Sequence, residues 1–248
     1  MKSKHKRKLQ PVQAKRKAFL AIPSYGGQIE IAGMRSLMFD MMHLIREGWE
    51  IQIFEELGHA DIYSLRAQMC MHFLDTDATD LVFIDNDLSW EAGGLMRLLA
   101  HEVDVVGGSY PKRKAPITFM FRSEEFEKDG ILRGHAESGM IAVDGLPGGF
   151  MRIRRHVIEK MHDKHRGEFE VLDPHTPQGK TVRIFDPYYY DAPDGKHVLS
   201  EDYAFCQRWR DMGGDIWMDT KIRMAHHGAK AFAGSIGEWL SGNMEKAA

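Results

Sequence analysis

Two carboxylates spaced i, i+2, Asp85 and Asp87, flank Asn86 directly after the run Asp80-Leu81-Val82-Phe83-Ile84. Acids at the end of so apolar a stretch are costly unless something neutralises them. Two hard oxygen ligands suit a divalent cation, which can in turn hold phosphate oxygens. The competing reading is an Asx-type turn into a helix capped by Asp87 or Ser89. A second acidic pair stands in Ser200-Glu201-Asp202, at the start of a helix-like stretch. Acids there favour the helix dipole whatever else they do, and a carboxylate fixed on a helix start also suits a general base aimed at an acceptor hydroxyl. His226-His227, ahead of Gly228, adds an imidazole that fits Mn2+ beside aspartates. Lys112-Arg113-Lys114 follows Tyr110-Pro111 and reads either as a solvated charge run or as cations offsetting a departing diphosphate.

These groups need elements to hold them. Leu81-Val82-Phe83-Ile84 has the unbroken apolar, β-branched and aromatic character of a strand buried on both faces. Residues 18–23 read as an earlier buried strand, followed by the loop Ser24-Tyr25-Gly26-Gly27. Helical spacing over 31–47 puts Leu37, Met41, Leu44 and Ile45 on one face, and Gly48 ends it. Residues 49–54 alternate as a strand, 61–76 are helical, 92–100 are helical, and 103–108 form a further strand. This alternation predicts an α/β fold: a Rossmann-like mixed, mainly parallel central sheet flanked by helices. Carboxylates at the carboxyl end of such a strand face the crevice where these sheets bind ligands. No GxGxxG and no P-loop is present, which removes the fingerprints of dinucleotide oxidoreductases and P-loop kinases.

The second half is less regular. Residues 117–121 and 140–143 read as short strands separated by a charged hairpin around 124–130, and 148–153 as a strand preceded by a glycine loop. A helix starts near 155, and 164–198, rich in Pro, Gly, Asp and Tyr, reads as one long loop. A helix over 203–212, a strand over 215–219 and a segment over 222–227 close the core; 232–240 is a short amphipathic candidate.

With two cysteines, Cys70 and Cys206, among 248 residues, neither a disulfide framework nor a Cys-based zinc site is available. No apolar run reaches membrane-spanning length, and the basic N-terminus lacks a secretory apolar region, so the expected location is cytoplasmic. Residues 1–17 carry eight Lys or Arg and no acid, leaving a body of 25 basic and 36 acidic residues, near −11. Such an arm suits nucleic acid or another anionic surface, or is a solvated leader.

Taken in order, these pieces resemble the GT-A-fold nucleotide-sugar glycosyltransferases, close to the family 2-like enzymes of bacterial and phage genomes. The segments are Phe19-Leu20-Ala21-Ile22-Pro23-Ser24-Tyr25, residues 61–66, Phe83-Ile84-Asp85-Asn86-Asp87 and Val106-Gly107-Gly108-Ser109-Tyr110-Pro111-Lys112. Gly148-Gly149-Phe150-Met151, Ser200-Glu201-Asp202-Tyr203-Ala204-Phe205-Cys206 and Gly213-Gly214-Asp215-Ile216-Trp217 through His226 complete the set. The resemblance implies a basic arm at 1–17, a catalytic domain at 18–230 (18–110 for the nucleotide sugar, 111–230 for the acceptor) and an extension at 231–248.

It also implies roles. Pro23, Ser24 and Tyr25 would hold base and ribose, and Arg66 would lie against the nucleotide or its phosphates. Asn86 and Lys112 would join the nucleotide-sugar site. Asp85 would contact ribose or sugar and share in the metal, while Asp87 ligates Mn2+ or Mg2+ bridging the diphosphate, with His226 preferred to His227 as the late ligand. Asp202, of the Glu201-Asp202 pair, would be the base of an inverting hexosyl transfer from a nucleoside-diphosphate sugar, UDP favoured. Many relatives carry a membrane segment or further domain after this point, so an acceptor in solution is expected, a glycan or hydroxymethylated DNA among them. DNA would be met by the basic arm and by Arg152, Arg154 and Arg155. The alternatives are a nucleotidyltransferase of the same fold and a non-catalytic sugar-nucleotide or nucleic-acid binding module.

Overall fold

The computed structural model describes residues 16–130, 134–135 and 138–242; most of the basic arm therefore lies outside the described residues. Strand β1 (Lys17–Ser24) is buried from Ala18 onward and runs parallel to β2 (Glu50–Leu57) on one side and β3 (Asp80–Ile84) on the other. Alternate residues of a strand point to opposite faces, and here both faces are apolar. Phe19, Ala21, Leu81 and Phe83 join one core, where α2 (Ile62–Leu74) contributes Leu65, Met69 and Phe73. Ala18, Leu20, Val82 and Ile84 join the other, where α1 (Ile31–Arg46) contributes Leu37 and Leu44. The two crossover helices thus cover opposite faces.

The chain continues through β4 (Leu88–Trp90), α3 (Gly94–Ala100), β5 (Val105–Gly108), α4 (Glu124–Asp129), β6 (Gly134–His135), β7 (Met140–Val143) and β8 (Phe150–Arg154). After α5 (Arg155–Phe169) come two hairpins, β9 (Glu170–Leu172) with β10 (Lys180–Val182) and β11 (Tyr188–Ala192) with β12 (Gly195–Leu199). The last elements are α6 (Glu201–Asp211), β13 (Ile216–Asp219), β14 (Arg223–His226), β15 (Phe232–Ser235) and α7 (Ile236–Leu240). The main sheet has the order β2-β1-β3-β8-β5-β13-β7-β6. Only β8 and β7 run against the rest, so the sheet is mixed and mainly parallel in strand direction, with helices on both faces. A small sheet β15-β14-β4 stands beside it.

Several expectations change. The tripeptide is not a helix cap: β4 follows it at once and pairs with β14. Residues 164–198 are not one loop, because α5 runs on to Phe169 and the Pro- and Gly-rich stretches are the turns of two hairpins, with Gly179 and Gly195 at positive φ. The segment 117–121 forms no strand beyond a single bridge at Phe119. The stretch 124–129 is a helix rather than a hairpin; the Ser123 hydroxyl accepts from Phe126 N–H and Gly130 closes it with φ +70°. Segment 232–240 is part of the fold rather than an extension: β15 pairs with β14, Ile236 is fully buried, and Trp239 packs against Phe119 and Phe121. On α1, Ile45 is exposed instead of buried, whereas Asp40 is fully buried and accepts from Trp90 Nε1, Gly93 N–H and Leu95 N–H. Those three donors make an interior carboxylate tolerable.

Candidate active site

The carboxyl ends of β1 and β3 lie side by side, and the loops that leave them meet over a cavity of about 300 Å³. Pro23, Ser24, Tyr25, His59, Ala60, Ile62, Leu65, Arg66, Asp85, Asn86, Asp87 and Glu201 line it. A larger cavity of about 460 Å³ sits at the opposite end of the sheet, around Asp104, Trp209 and Asp215, and holds none of the candidate residues. Position within the sheet, rather than size, selects the first.

Asn86 fastens the floor to the first loop. Its side-chain amide donates to Ser24 Oγ (3.0 Å) and to the Gln28 carbonyl (2.6 Å), and its own carbonyl accepts from Glu30 N–H (2.8 Å). Tyr25 stands largely exposed at the rim.

Asp85 turns inward. One of its oxygens accepts from Arg66 at 2.9 Å, and Tyr110 OH lies 3.5 Å from the other. Arg66 is only 2% exposed. Its guanidinium also donates to the Gly148 carbonyl (3.2 Å) and lies over the Phe83 ring. Burial works against its charge, but Asp85, Glu201, Tyr110 and Asp202 outweigh this and raise its proton affinity. The neighbouring glycines are spatial necessities. A Cβ on Gly149 would come within 2.4 Å of Asp85 Oδ2 and of Tyr110 OH, and one on Gly148 within 3.0 Å of the Arg66 guanidinium carbon. Burial, then the carboxylates Asp85 and Asp202, raise the Tyr110 phenol well above its ordinary range.

Asp87 turns the other way, toward β14. Its Oδ2 lies 3.4 Å from His226 Nε2 and 3.1 Å from Arg113 Nη2. Burial opposes ionisation of Asp87, yet the His226 hydrogen bond and charge, with the Arg113 charge, hold its carboxyl below the usual range. His226 Nδ1 lies 2.9 Å from the Pro111 carbonyl, which can only accept. In the neutral ring that contact keeps the proton on Nδ1 and leaves the Nε2 lone pair facing Asp87. His227 points elsewhere, to Ser89 Oγ at 2.8 Å and toward Glu30.

Glu201 reaches the cavity, while Asp202 is held against its wall by Gly148 N–H (3.2 Å), Tyr203 N–H (2.8 Å) and Ser200 Oγ (3.1 Å). Ser200 stands at the N-cap position but makes no side-chain cap; its hydroxyl serves Asp202 instead. Burial raises the proton affinity of both acids, and repulsion from Asp202 adds to the rise at Glu201. Four carboxylates, Asp85, Asp87, Glu201 and Asp202, thus gather with two guanidinium groups, Arg66 and Arg113, and the His226 imidazole, so carboxylates outnumber guanidinium groups by two.

The structure therefore draws Pro23, Ser24, Tyr25, Arg66, Asp85, Asn86, Asp87 and Glu201 around one cavity, with Asp202 and His226 adjoining. Lys112 is exposed, and Arg113, its neighbour in the run, is the cation that reaches Asp87. Asp85 is occupied by Arg66 and Tyr110, apart from the Asp87–His226 pair. Sequence reasoning missed His59 as a lining group and the Tyr110 hydroxyl, which is buried against Asp85 and accepts from Gly149 N–H. Arg152, Arg154 and Arg155 are not free for DNA: Arg152 is fully buried against backbone carbonyls, Arg154 pairs with Glu102, and Arg155 donates to Phe73, Leu74 and Ala78 carbonyls. Among the described residues no group of three or more His, Cys, Asp or Glu side chains is gathered to hold a metal by itself, and no helix is long and apolar enough to cross a membrane.

No family model matches the chain, and no curated protein matches it by sequence. Among solved structures, A197 from STIV is 18% identical, with a TM-score of 0.49 over 90% of this chain and 91% of that one. GalNAc-T7 with UDP, GalNAc and Mn2+ is 8% identical, with a TM-score of 0.47 over 86% of this chain and 44% of that one.

Proposed function

We propose that the protein transfers a sugar from a nucleoside-diphosphate sugar, UDP favoured, to an acceptor hydroxyl, with inversion. The observation that carries this reading is the pairing of Asp87 with His226 Nε2 at the mouth of a cavity whose carboxylates exceed its guanidinium groups by two. A divalent ion of Mn2+ or Mg2+ type fits that donor set in charge and chemistry, and Asp87 and His226 would hold it. Bound there, it supplies a Lewis acid to the departing diphosphate.

The remaining work falls to the chain. The cavity wall of Pro23, Ser24 and Tyr25 receives base and ribose, and Asn86 keeps that wall in register with Asp87. Arg66 holds Asp85 toward the sugar nucleotide rather than meeting phosphate itself. Arg113, half-exposed at Asp87, can turn its charge to the diphosphate. Asp202 takes the proton from the acceptor hydroxyl as it attacks the anomeric carbon; three donors fix its direction, and burial makes it a stronger base than a solvated carboxylate. Glu201 borders the same space and contacts sugar or acceptor.

The test is a thermal-shift panel of UDP-, GDP- and dTDP-sugars with and without Mn2+, followed by assay of nucleoside diphosphate release. A ligand bound to the folded state raises its stability. Metal-dependent stabilisation by one donor class, with slow release of the diphosphate, is expected; no stabilisation by any donor defeats the reading. Release of pyrophosphate from a nucleoside triphosphate and a sugar phosphate would replace it with nucleotidyl transfer.

A further inference from the structure

We propose that Tyr110 is a positioning residue that aims two groups at once: its hydroxyl sets the direction of the Asp85 carboxylate, and its ring sets the plane of the His226 imidazole. This rests on the roles given above to Asp85 and His226 and adds the side chain that keeps them in step.

The main chain fixes Tyr110 first. It follows β5, and the strand end is tied to the returning chain by an antiparallel bridge between Pro111 and Phe119. Met120 N–H donates to the Tyr110 carbonyl (3.4 Å), Lys112 N–H to the Thr118 carbonyl (2.7 Å) and Ser109 Oγ to the Met120 carbonyl (2.6 Å). The side chain is 4% exposed. A phenol buried this far needs partners for its hydroxyl.

Those partners close a ring of bonds. Asp85 N–H donates to the Gly149 carbonyl (2.8 Å), Gly149 N–H donates to Tyr110 OH (3.2 Å), and the hydroxyl keeps its own hydrogen for Asp85 Oδ2, 3.5 Å away. Burial and the nearby carboxylates hold the phenol protonated, so that hydrogen is there to give. Arg66 takes the other oxygen of Asp85. A residue that only filled the core would need no hydroxyl here, and Phe would serve.

The ring attends to the other group. It meets the His226 imidazole edge to face, with centroids 5.1 Å apart and planes at 79°. The carbonyl of the next residue, Pro111, receives His226 Nδ1 (2.9 Å). One hydrogen bond lets an imidazole pivot about it, and an aromatic ring packed alongside removes that freedom. Asp85 and Asp87 turn to opposite sides; Tyr110 touches the first directly and reaches the second through its partner His226.

The experiment compares Tyr110→Phe with Tyr110→Leu in the full chain. Ile158→Val, a fully buried methyl removed on α5, serves as the control for lost stability alone. Tyr110→Phe keeps the ring. The Michaelis constant for the nucleotide sugar selected by the thermal-shift panel should rise about tenfold, the order expected for a hydrogen bond to a charged group, while kcat and Mn2+ affinity by calorimetry hold. Beside Asp85→Asn, which takes the charge from that bond, the same change should have a smaller effect. Tyr110→Leu loses the ring as well and should also weaken Mn2+ binding roughly tenfold. Tyr110→Met replaces it should the Leu variant melt early. The proposal is overturned if Tyr110→Phe leaves the Michaelis constant unchanged, if its effect is undiminished beside Asp85→Asn, if neither Leu nor Met loosens Mn2+, or if Ile158→Val reproduces the pattern. A wild-type chain that binds neither Mn2+ nor any nucleotide sugar overturns the underlying reading, and this one with it.

Discussion

Strand β3 carries acid at both ends, and the two ends have opposite fates. At its start, fully buried Asp80 faces the guanidinium groups of Arg152 (3.8 Å) and Arg154 (3.6 Å) and accepts from Thr79 Oγ1. Arg152 in turn donates to the carbonyls of His101, Val103 and Asp104. Cations there match or outnumber acids, and Asp80 and Arg152 are closed to solvent. At its far end, Asp85 and Asp87 open onto a cavity in which carboxylates outnumber guanidinium groups by two. A buried charge cluster that is compensated holds a fold together, whereas one left short of positive charge is prepared for something that arrives. Burial alone does not tell a structural acid from a functional one; the local charge balance does.

That contrast can be broken experimentally. Asp80→Ala should leave Arg152 buried without its counter-ion and cost on the order of 3 kcal/mol in urea unfolding, with the Michaelis constant for donor unchanged in protein that remains folded. Asp87→Ala should do the reverse: transfer falls on the order of a thousandfold, as expected for several kcal/mol of lost Lewis-acid stabilisation, and Mn2+ binding by calorimetry disappears while the urea midpoint holds. Full transfer in EDTA would remove the metal from the scheme. Asp202→Asn should lower kcat roughly a hundredfold or more, the usual share of a general base, with donor affinity intact; full activity would exclude it as the base.

Smaller effects probe the packing and the proton balance. Gly149→Ala forces a methyl against Asp85 and Tyr110 and should cost about 1–3 kcal/mol by overpacking, seen as a lower melting temperature together with weaker donor binding. The mildest effect concerns pH. Burial raises the proton affinity of Glu201 and Asp202, so the acid limb of kcat/KM should lie above the ordinary carboxylate range. Glu201→Gln removes the like charge and should move that limb to lower pH. The sign for stability is opposite to that of activity. In the window between the ordinary and the raised values the folded state binds more protons than the unfolded, so stability declines as pH rises through it; denaturation across that window should be flatter in Glu201→Gln.

The parallel half of the fold was legible because its strands are buried on both faces and its helices keep their period, so each element announces itself locally. The stretch 170–199 was not, since β11 and β12 form a hairpin apart from the main sheet, mostly partly or fully exposed, and show no apolar alternation. Among the candidate residues, the tripeptide, the acidic helix start and the late histidine could be picked out by type and position. Their partnerships could not. Arg66 sits in a helix with hardly an exposed face and meets Asp85 only through the crossover, and a run of three cations does not disclose that the middle one reaches Asp87.

The pairing of β14 with β4 has a further meaning. The backbone of His226 lies opposite Leu88, one residue beyond Asp87, and His227 N–H donates to the Asp87 carbonyl. The separation of the two side chains is therefore written in a main-chain ladder and not in the side chains themselves. A slip of one residue would present His227 in place of His226 and turn the wrong imidazole outward. While the ladder holds, the approach of position 226 to Asp87 is set by main-chain hydrogen bonds, so a substitution there changes the group that faces Asp87 without moving the strand that carries it.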